Sequence, residues 1–262
     1  MAISKYFTAE VKQRITASHQ AAGSAAYAAD DVLFDWASFQ VPKGANKLVS
    51  VNWVMRGADA AIVNPSNMRD IDVFFAKSID GTAPATIGDA NATMSAAPVV
   101  SNHIIGMTRI DNNDYGSMSP DYFYIAQTGS GGAASNIPNV ILEGEPNSGD
   151  NVGYDTLYIA ASISGAGVGF GTTVLTRGAV SADATSVPTD KGSDDDPDAD
   201  LIFAIGDTIH SATDDVLGEL TSIAAFDTNN QALGFSGGSA AVSDNEELFN
   251  VYPIKILLSF EK

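Results

Sequence analysis

Hydrophobic and polar residues follow one another in short runs along most of this chain. The segments 48–55, 72–77 and 156–162 are rich in β-branched, aromatic and aliphatic residues, and Gly, Pro, Asn, Asp and Ser lie between such runs. Short runs separated by turn-forming residues are typical of β-strands in an antiparallel fold. The pattern predicts an all-β protein, an antiparallel β-sandwich of jelly-roll type with either two β layers or two subdomains.

The first residues of the chain fit two kinds of secondary structure. Phe7, Val11 and Ile15 recur every four residues, a spacing that suits one face of a helix and one face of a strand. Polar residues at alternate positions between them favour the strand. We therefore expect residues 1–29 to form an N-terminal strand or arm and residues 30–262 to form the sandwich body, with a candidate subdivision near 145–155.

At most one short helix is expected. Thr213 is a suitable N-cap residue, and Asp214 and Asp215 would stand in the first helical turn, so the sequence predicts a helix over 213–225. Near the end of the chain, Pro253 interrupts an apolar run. Because proline cannot donate a backbone hydrogen bond, this position indicates a strand edge or a bulge.

Composition and charge narrow the range of partners. The chain has 13 Lys and Arg against 32 Asp and Glu, a net charge of −19, and no cysteine. Nucleic-acid binding needs a basic surface, so this class of partner is excluded. No apolar run approaches the roughly 18 residues of a membrane-spanning helix, and no signal peptide is recognisable. Eight of the basic residues lie in positions 1–77, which suits an oppositely charged partner there.

One acidic segment is a candidate calcium site. Six carboxylates fall within 190–200, and Asp194, Asp196 and Asp198 have the spacing of the first three ligands of an EF-hand loop. The rest of that loop fails, because Ala199 stands where the invariant glycine is required. A looser site in a β-loop remains open, and the competing interpretation is a solvated loop of repelling charges. A second acidic segment, 111–116, is a weaker candidate.

No pattern assigns a catalytic residue. The segment 234–238 matches the G-x-S-x-G pattern of a nucleophile elbow. Such an elbow needs a helix after the serine and a catalytic histidine downstream. No histidine follows Ser236, and the residues after it do not suit a helix. The glycines of 165–171 fail the spacing of a dinucleotide-binding loop. A glycoside hydrolase would need two carboxylates converging in a cleft, which sequence alone does not exclude. Trp36 and Trp53 suit either sugar stacking or, more simply, the core.

The block DDVLFDWASFQVPKGANKLVSVNWVMRGADA, followed by DIDVFFAKSIDGTAPATIGDANAT, resembles structural proteins of marine tailed bacteriophages over residues 30–95. The resemblance implies a non-enzymatic virion protein that decorates or cements the capsid, or forms an appendage. Its expected partners are the major capsid protein, other virion proteins and further copies of itself. The alternative is a carbohydrate-binding or adhesin-like β module of a phage fibre. Neither function requires a cofactor, and Ca²⁺ is the one candidate ion.

Overall fold

The structure is a computed structural model that describes residues 5–20, 27–56, 70–95, 103–119, 123–131, 137–164, 174–190, 198–227 and 230–262. Within these ranges the chain forms fifteen strands, two four-residue α-helices and one 3-10 helix. The strands are β1 Tyr6–Gln13, β2 Val32–Pro42, β3 Asn46–Arg56, β4 Ile71–Lys77, β5 Ile104–Ile110, β6 Tyr115–Ser119, β7 Phe123–Gln127, β8 Val140–Leu142, β9 Tyr154–Ile163, β10 Ser186–Asp190, β11 Thr208–Ser211, β12 Val216–Ala225, β13 Asn230–Phe235, β14 Leu248–Asn250 and β15 Ile254–Glu261. The helices are α1 Ala17–Gln20, α2 Ala199–Ile202 and the 3-10 helix Asn112–Asp114.

Two antiparallel sheets enclose the larger core. The first has the order β1-β15-β3-β7-β6, with β8 also paired to β3, and the second has the order β2-β9-β4-β5. Both sheets contribute fully buried side chains to one apolar cluster, among them Trp53, Phe75, Ile159 and Ile256. This arrangement, which we call the sandwich, confirms the predicted all-β antiparallel fold and places Trp53 in the core.

The predicted strand at the start of the chain is confirmed. All eight residues of β1 pair with β15, so that Phe7 faces Phe260 and their rings stack with centroids 5.0 Å apart. Alternate β1 residues such as Val11 point into the core, while Glu10 and Lys12 point outward. Period-two alternation in the sequence therefore produces one buried and one solvated face.

A third sheet has its own core. Its order is β10-β13-β12-β11-β14, and buried side chains such as Val187, Leu220 and Leu233 form a separate cluster. We call residues 174–251 the insert, because the sandwich resumes after it with β15. After β9 the chain leaves the core of the sandwich and enters the core of the insert. The stretch 145–155, where the sequence suggested a subdivision, joins β8 to β9, and both of these strands belong to the sandwich.

The helix predicted over 213–225 is wrong. This segment is β12, which pairs with β11 on one side and β13 on the other. Asp214 adopts a left-handed conformation (φ 65°) and Thr213 Oγ1 donates to Asp215 Oδ2 at 2.9 Å, so these residues build a tight turn between β11 and β12. Asp and Thr favour turns and helix starts for the same reason, since their side chains bond to nearby groups.

The expectation of at most one short helix is also corrected, because α1 and α2 are both present. Each spans only four residues, about one turn. Such short segments have no room for the apolar periodicity by which a helix is recognised in sequence. Within the described residues, no helix has the length and hydrophobicity to cross a membrane.

Candidate functional site

A groove of about 460 Å³ lies where the insert meets the outer face of the sandwich. Its floor is formed by outward-facing residues of β1, β3 and β15. Its wall is formed by the start of β11, Glu219 of β12, the end of β14 and the connection that leads into β15. The volume is within the range of small-molecule sites, which are commonly found at junctions between structural units. This groove is the candidate functional site.

The floor carries two lysines that the strand register places side by side. Lys12 of β1 is the direct partner of Lys255 of β15, and both side chains are about half exposed (55% and 47%). One carboxylate lies near both: Glu10 Oε2 is 2.8 Å from Lys255 Nζ, and Glu10 Oε1 is 3.6 Å from Lys12 Nζ. The hydrogen bond from Lys255 is the main cause that lowers the pKa of Glu10 below its ordinary value.

An ion pair joins the floor to the wall. Arg56 of β3 binds the carboxylate of Asp207, and both side chains are largely buried. Asp207 Oδ2 also accepts the backbone N–H of Ala204 at 2.7 Å. The Arg56 backbone N–H donates to Pro253 O at 2.8 Å, which fixes the same strand end to the chain entering β15. Asp207 is thus engaged in holding the sandwich to the insert.

The turn between β14 and β15 brings a tyrosine to the groove. Asn250 Oδ1 accepts the Tyr252 N–H at 2.8 Å, and the Tyr252 residue is 40% exposed. Pro253 follows in the connection, so the apolar run that it interrupts forms two strands in different sheets. Pro253 therefore separates two strands, and the strand edge or bulge that the sequence indicated at this position is not what the structure shows.

The groove contains two carboxylates, those of Asp207 and Glu219. A hydrolytic pair needs one acid to deliver a proton and one to remain available as base or nucleophile. The carboxylate of Asp207 is already engaged by Arg56 and by the backbone of Ala204, so it is not available for proton transfer. The groove therefore offers cations, hydrogen-bonding groups and one aromatic ring, a set that suits recognition of a polar ligand.

The calcium prediction is only partly covered by the structure. Asp194 and Asp196 lie outside the described residues. Asp198 stands at the N-cap position of α2, in an extended conformation and without a side-chain hydrogen bond to the helix. Across the described residues, no three His, Asp or Glu side chains are grouped as a metal site would require. The Ca²⁺ site stays a prediction.

The second acidic segment has a structural role. Asp114 is buried, and its carboxylate accepts the backbone N–H groups of Asp111 at 3.1 Å, Gly129 at 3.3 Å and Gly131 at 2.9 Å. Asp111 in turn accepts the Asn113 N–H, which completes a capping box around the 3-10 helix. Backbone amides thus occupy the oxygens that a cation would need.

The remaining candidates do not come together. Ser236 is exposed after β13 and no helix follows it, so the nucleophile elbow is absent from this segment. The glycines of 165–171 lie outside the described residues. His19 and His103 bind local groups, Thr16 Oγ1 and Lys77 O respectively, and Trp36 donates to Ala85 O at 2.9 Å.

Sequence reasoning missed the groove entirely. Lys12 and Lys255 are more than two hundred positions apart, and only the β1–β15 register makes them neighbours. The fold is an all-β protein of three antiparallel sheets, with a polar groove between its two cores. Comparison with known proteins gives no matching family model, no matching curated sequence and no matching solved structure.

Proposed function

We propose that this chain is a non-enzymatic structural protein of a virion that decorates or cements the capsid through contacts with the major capsid protein or other virion proteins. The phage-like block supports this proposal, because residues 31–56 and 70–95 supply three of the strands around the main core.

The proposal rests on an exposed apolar surface around strand β3. Strand β3 pairs with β8 through residues 46–48 and with β7 through residues 52–56, so it branches between two neighbours. Three large apolar side chains lie around this branch and are exposed, Val49 at 39%, Ile137 at 57% and Ile141 at 67%. We call them the branch surface. Grouped apolar side chains on a soluble protein mark contact sites for other proteins.

The distribution of charge supports assembly with further copies. In the described part of the insert, twelve carboxylates accompany a single basic residue, Arg177. The outer face of the sandwich instead presents Lys12, Lys47 and Lys255 together with Glu10 and Glu261, so it is much less acidic than the insert. A difference in charge between two surfaces of one chain favours contact between unlike surfaces of neighbouring copies, and complementary potentials guide subunits into register.

The test is binding to particles. We expect the chain to be present in purified virions of the phage that encodes it, and recombinant protein to rebind particles stripped of it. Ile141→Asp should reduce rebinding at least tenfold, since it places a charge in the branch surface. Val152→Asp is the matched control, because Val152 is fully exposed in the β8–β9 connection. Absence of the chain from virions, or equal rebinding by both variants, would contradict the proposal.

A carbohydrate-binding or adhesin-like module is the second candidate, and the groove favours it. Exposed Tyr252 beside hydrogen-bonding side chains is the combination that saccharide sites use. Binding to a glycan array by the wild-type chain, lost in Tyr252→Ala, would support this function. Full array binding by Tyr252→Ala would remove the groove from consideration.

A further inference from the structure

We propose that the groove between the sandwich and the insert binds a carboxylated saccharide. This inference rests on the saccharide-binding alternative above and names its ligand class. It does not depend on the capsid role, because the branch surface is formed by Val49, Ile137 and Ile141 and the groove by other residues.

The charge of the floor is the first observation. Like charges directly opposite each other on paired strands are destabilising, yet Lys12 and Lys255 occupy this arrangement. Glu10 lies near both lysines and can balance only one of them. Glu219 lines the groove without forming an ion pair with either lysine. An anion bound between the two ammonium groups would remove the repulsion. The pair is notable because the protein as a whole carries a net charge of −19.

An unpaired donor is the second observation. Asn250 lines the groove and is 4% exposed, and its Nδ2 amide is buried without a hydrogen-bond partner. Buried polar groups are almost always satisfied in native proteins, so an orphaned donor calls for a partner that enters from outside. A ligand oxygen at this end of the groove would supply the missing acceptor once the Asn250 side chain turns towards it, because the Nδ2 atom itself has less than 1 Å² of exposed surface.

The remaining lining distinguishes a saccharide from a simple oxyanion. Thr208 and Glu219 offer oxygens that accept hydrogen bonds, and Tyr252 offers an exposed ring. Phosphate and sulfate at neutral pH have few or no hydrogens to donate to these acceptors. A uronic acid has hydroxyl donors for Thr208 and Glu219, an apolar ring face for Tyr252 and a carboxylate for the two lysines.

The experiment is titration calorimetry of the full chain with trigalacturonate, its carboxyl-reduced neutral counterpart and inorganic sulfate. We expect trigalacturonate to bind, and to bind at least tenfold more tightly than the other two probes. Its affinity should fall with added salt, because the lysines are partly exposed. Lys12→Gln and Lys255→Gln should each weaken binding about fivefold or more, and Tyr252→Ala should weaken it similarly.

Lys47→Gln is the matched control, because Lys47 is exposed on the same outer face and does not line the groove. Its affinity should equal that of the wild type, and thermal unfolding should show that every variant is folded. Equal binding of the neutral counterpart would overturn the acidic ligand and leave the saccharide-binding alternative standing. No binding of either saccharide would overturn the carboxylated ligand, while the glycan array with Tyr252→Ala decides the saccharide-binding alternative separately. Tight sulfate binding would reduce the groove to a general anion site.

Discussion

His210 Nδ1 lies 3.1 Å from Asp214 Oδ1, at the contact between the N-terminal residues 14–20 and the insert. The same Asp214 oxygen accepts the backbone N–H of Ala17 at 2.9 Å, and Arg14 approaches it to 3.8 Å. On the other side of the imidazole, Gln20 Nε2 lies 3.2 Å from His210 Nε2. One aspartate thus connects the end of β1, helix α1 and strand β11.

Removal of the Asp214 side chain should destabilise the contact between the N-terminal residues and the insert. Asp214→Gly keeps the left-handed backbone without strain but leaves the Ala17 N–H without its acceptor, which should lower the free energy of unfolding by about 1–3 kcal/mol. Asp183→Gly is the matched control, because Asp183 has nearly the same φ, 67° against 65°. Urea unfolding of both variants measures the difference. Equal losses would show that backbone freedom, rather than the hydrogen bond, causes the effect.

The stability of the protein should depend on the protonation of His210. Burial lowers the pKa of His210 from its ordinary value of 6.5, and Arg14 acts in the same direction, while Asp214 opposes them. The backbone of Asn250 also raises the pKa of His210. Both hydrogens of the Gln20 amide are donated, to Ile15 O and Asn250 O, so a protonated Nε2 of His210 would face a donor nitrogen.

The sign follows from proton linkage. As the pH falls below about 6.5, the unfolded chain binds a proton that the folded protein resists, so the free energy of unfolding should decrease until the pH is below the folded pKa. His210→Gln should remove this slope between about pH 5 and 7, whereas His103→Gln should retain it. Denaturation at a series of pH values is the measurement, and an unchanged slope in His210→Gln would contradict the assignment.

Gly106 of β5 allows the edges of the two sandwich sheets to approach. A Cβ at this position would lie 2.4 Å from Val140 Cγ1 of β8, closer than any normal contact. Gly106→Ala should therefore destabilise the protein by about 1–3 kcal/mol. Val140→Ala in the same chain should recover part of this loss, and a double-mutant cycle by chemical denaturation measures the coupling. Strict additivity would show that β5 and β8 are not in contact here.

The Arg56–Asp207 pair should contribute more to stability than an exposed pair. Its side chains are 25% and 15% exposed, against 45% and 41% for Arg177–Asp227. Double-mutant cycles with alanine should give a coupling energy of about 1–3 kcal/mol for the first pair and below about 1 kcal/mol for the second. Similar small values for both would mean that Arg56 does not hold the sandwich to the insert.

Local sequence patterns predict much of the fold, but they do not predict the groove. The alternation in β1 and β15 predicts their buried faces because a strand's period is a property of a few neighbouring residues. The pairing of β1 with β15 depends on residues at opposite ends of the chain, so no local pattern reveals it. The same limit hides the contact between Lys12 and Lys255, which exists only through that pairing.

The error at 213–225 has a related cause. Thr213 and Asp214 give a strong local signal for a helix start, yet β12 has neighbours on both sides that supply its hydrogen bonds. Tertiary pairing overrides local preference in such segments. Glycine patterns are ambiguous in the same way. Gly238 lies where a Cβ would be 2.4 Å from the Asp183 Cα, so this glycine of the G-x-S-x-G match serves close backbone packing.

The position of β15 between β1 and β3 has a consequence for how the protein is made on the ribosome. Both flanking strands are synthesised long before β15, and the whole insert is translated in between. Until β15 emerges, β1 has no partner in its sheet and β3 exposes one edge. Until then the nascent chain carries unpaired strand edges on β1 and β3, which can pair with other chains, and β15 closes the sheet by pairing with both.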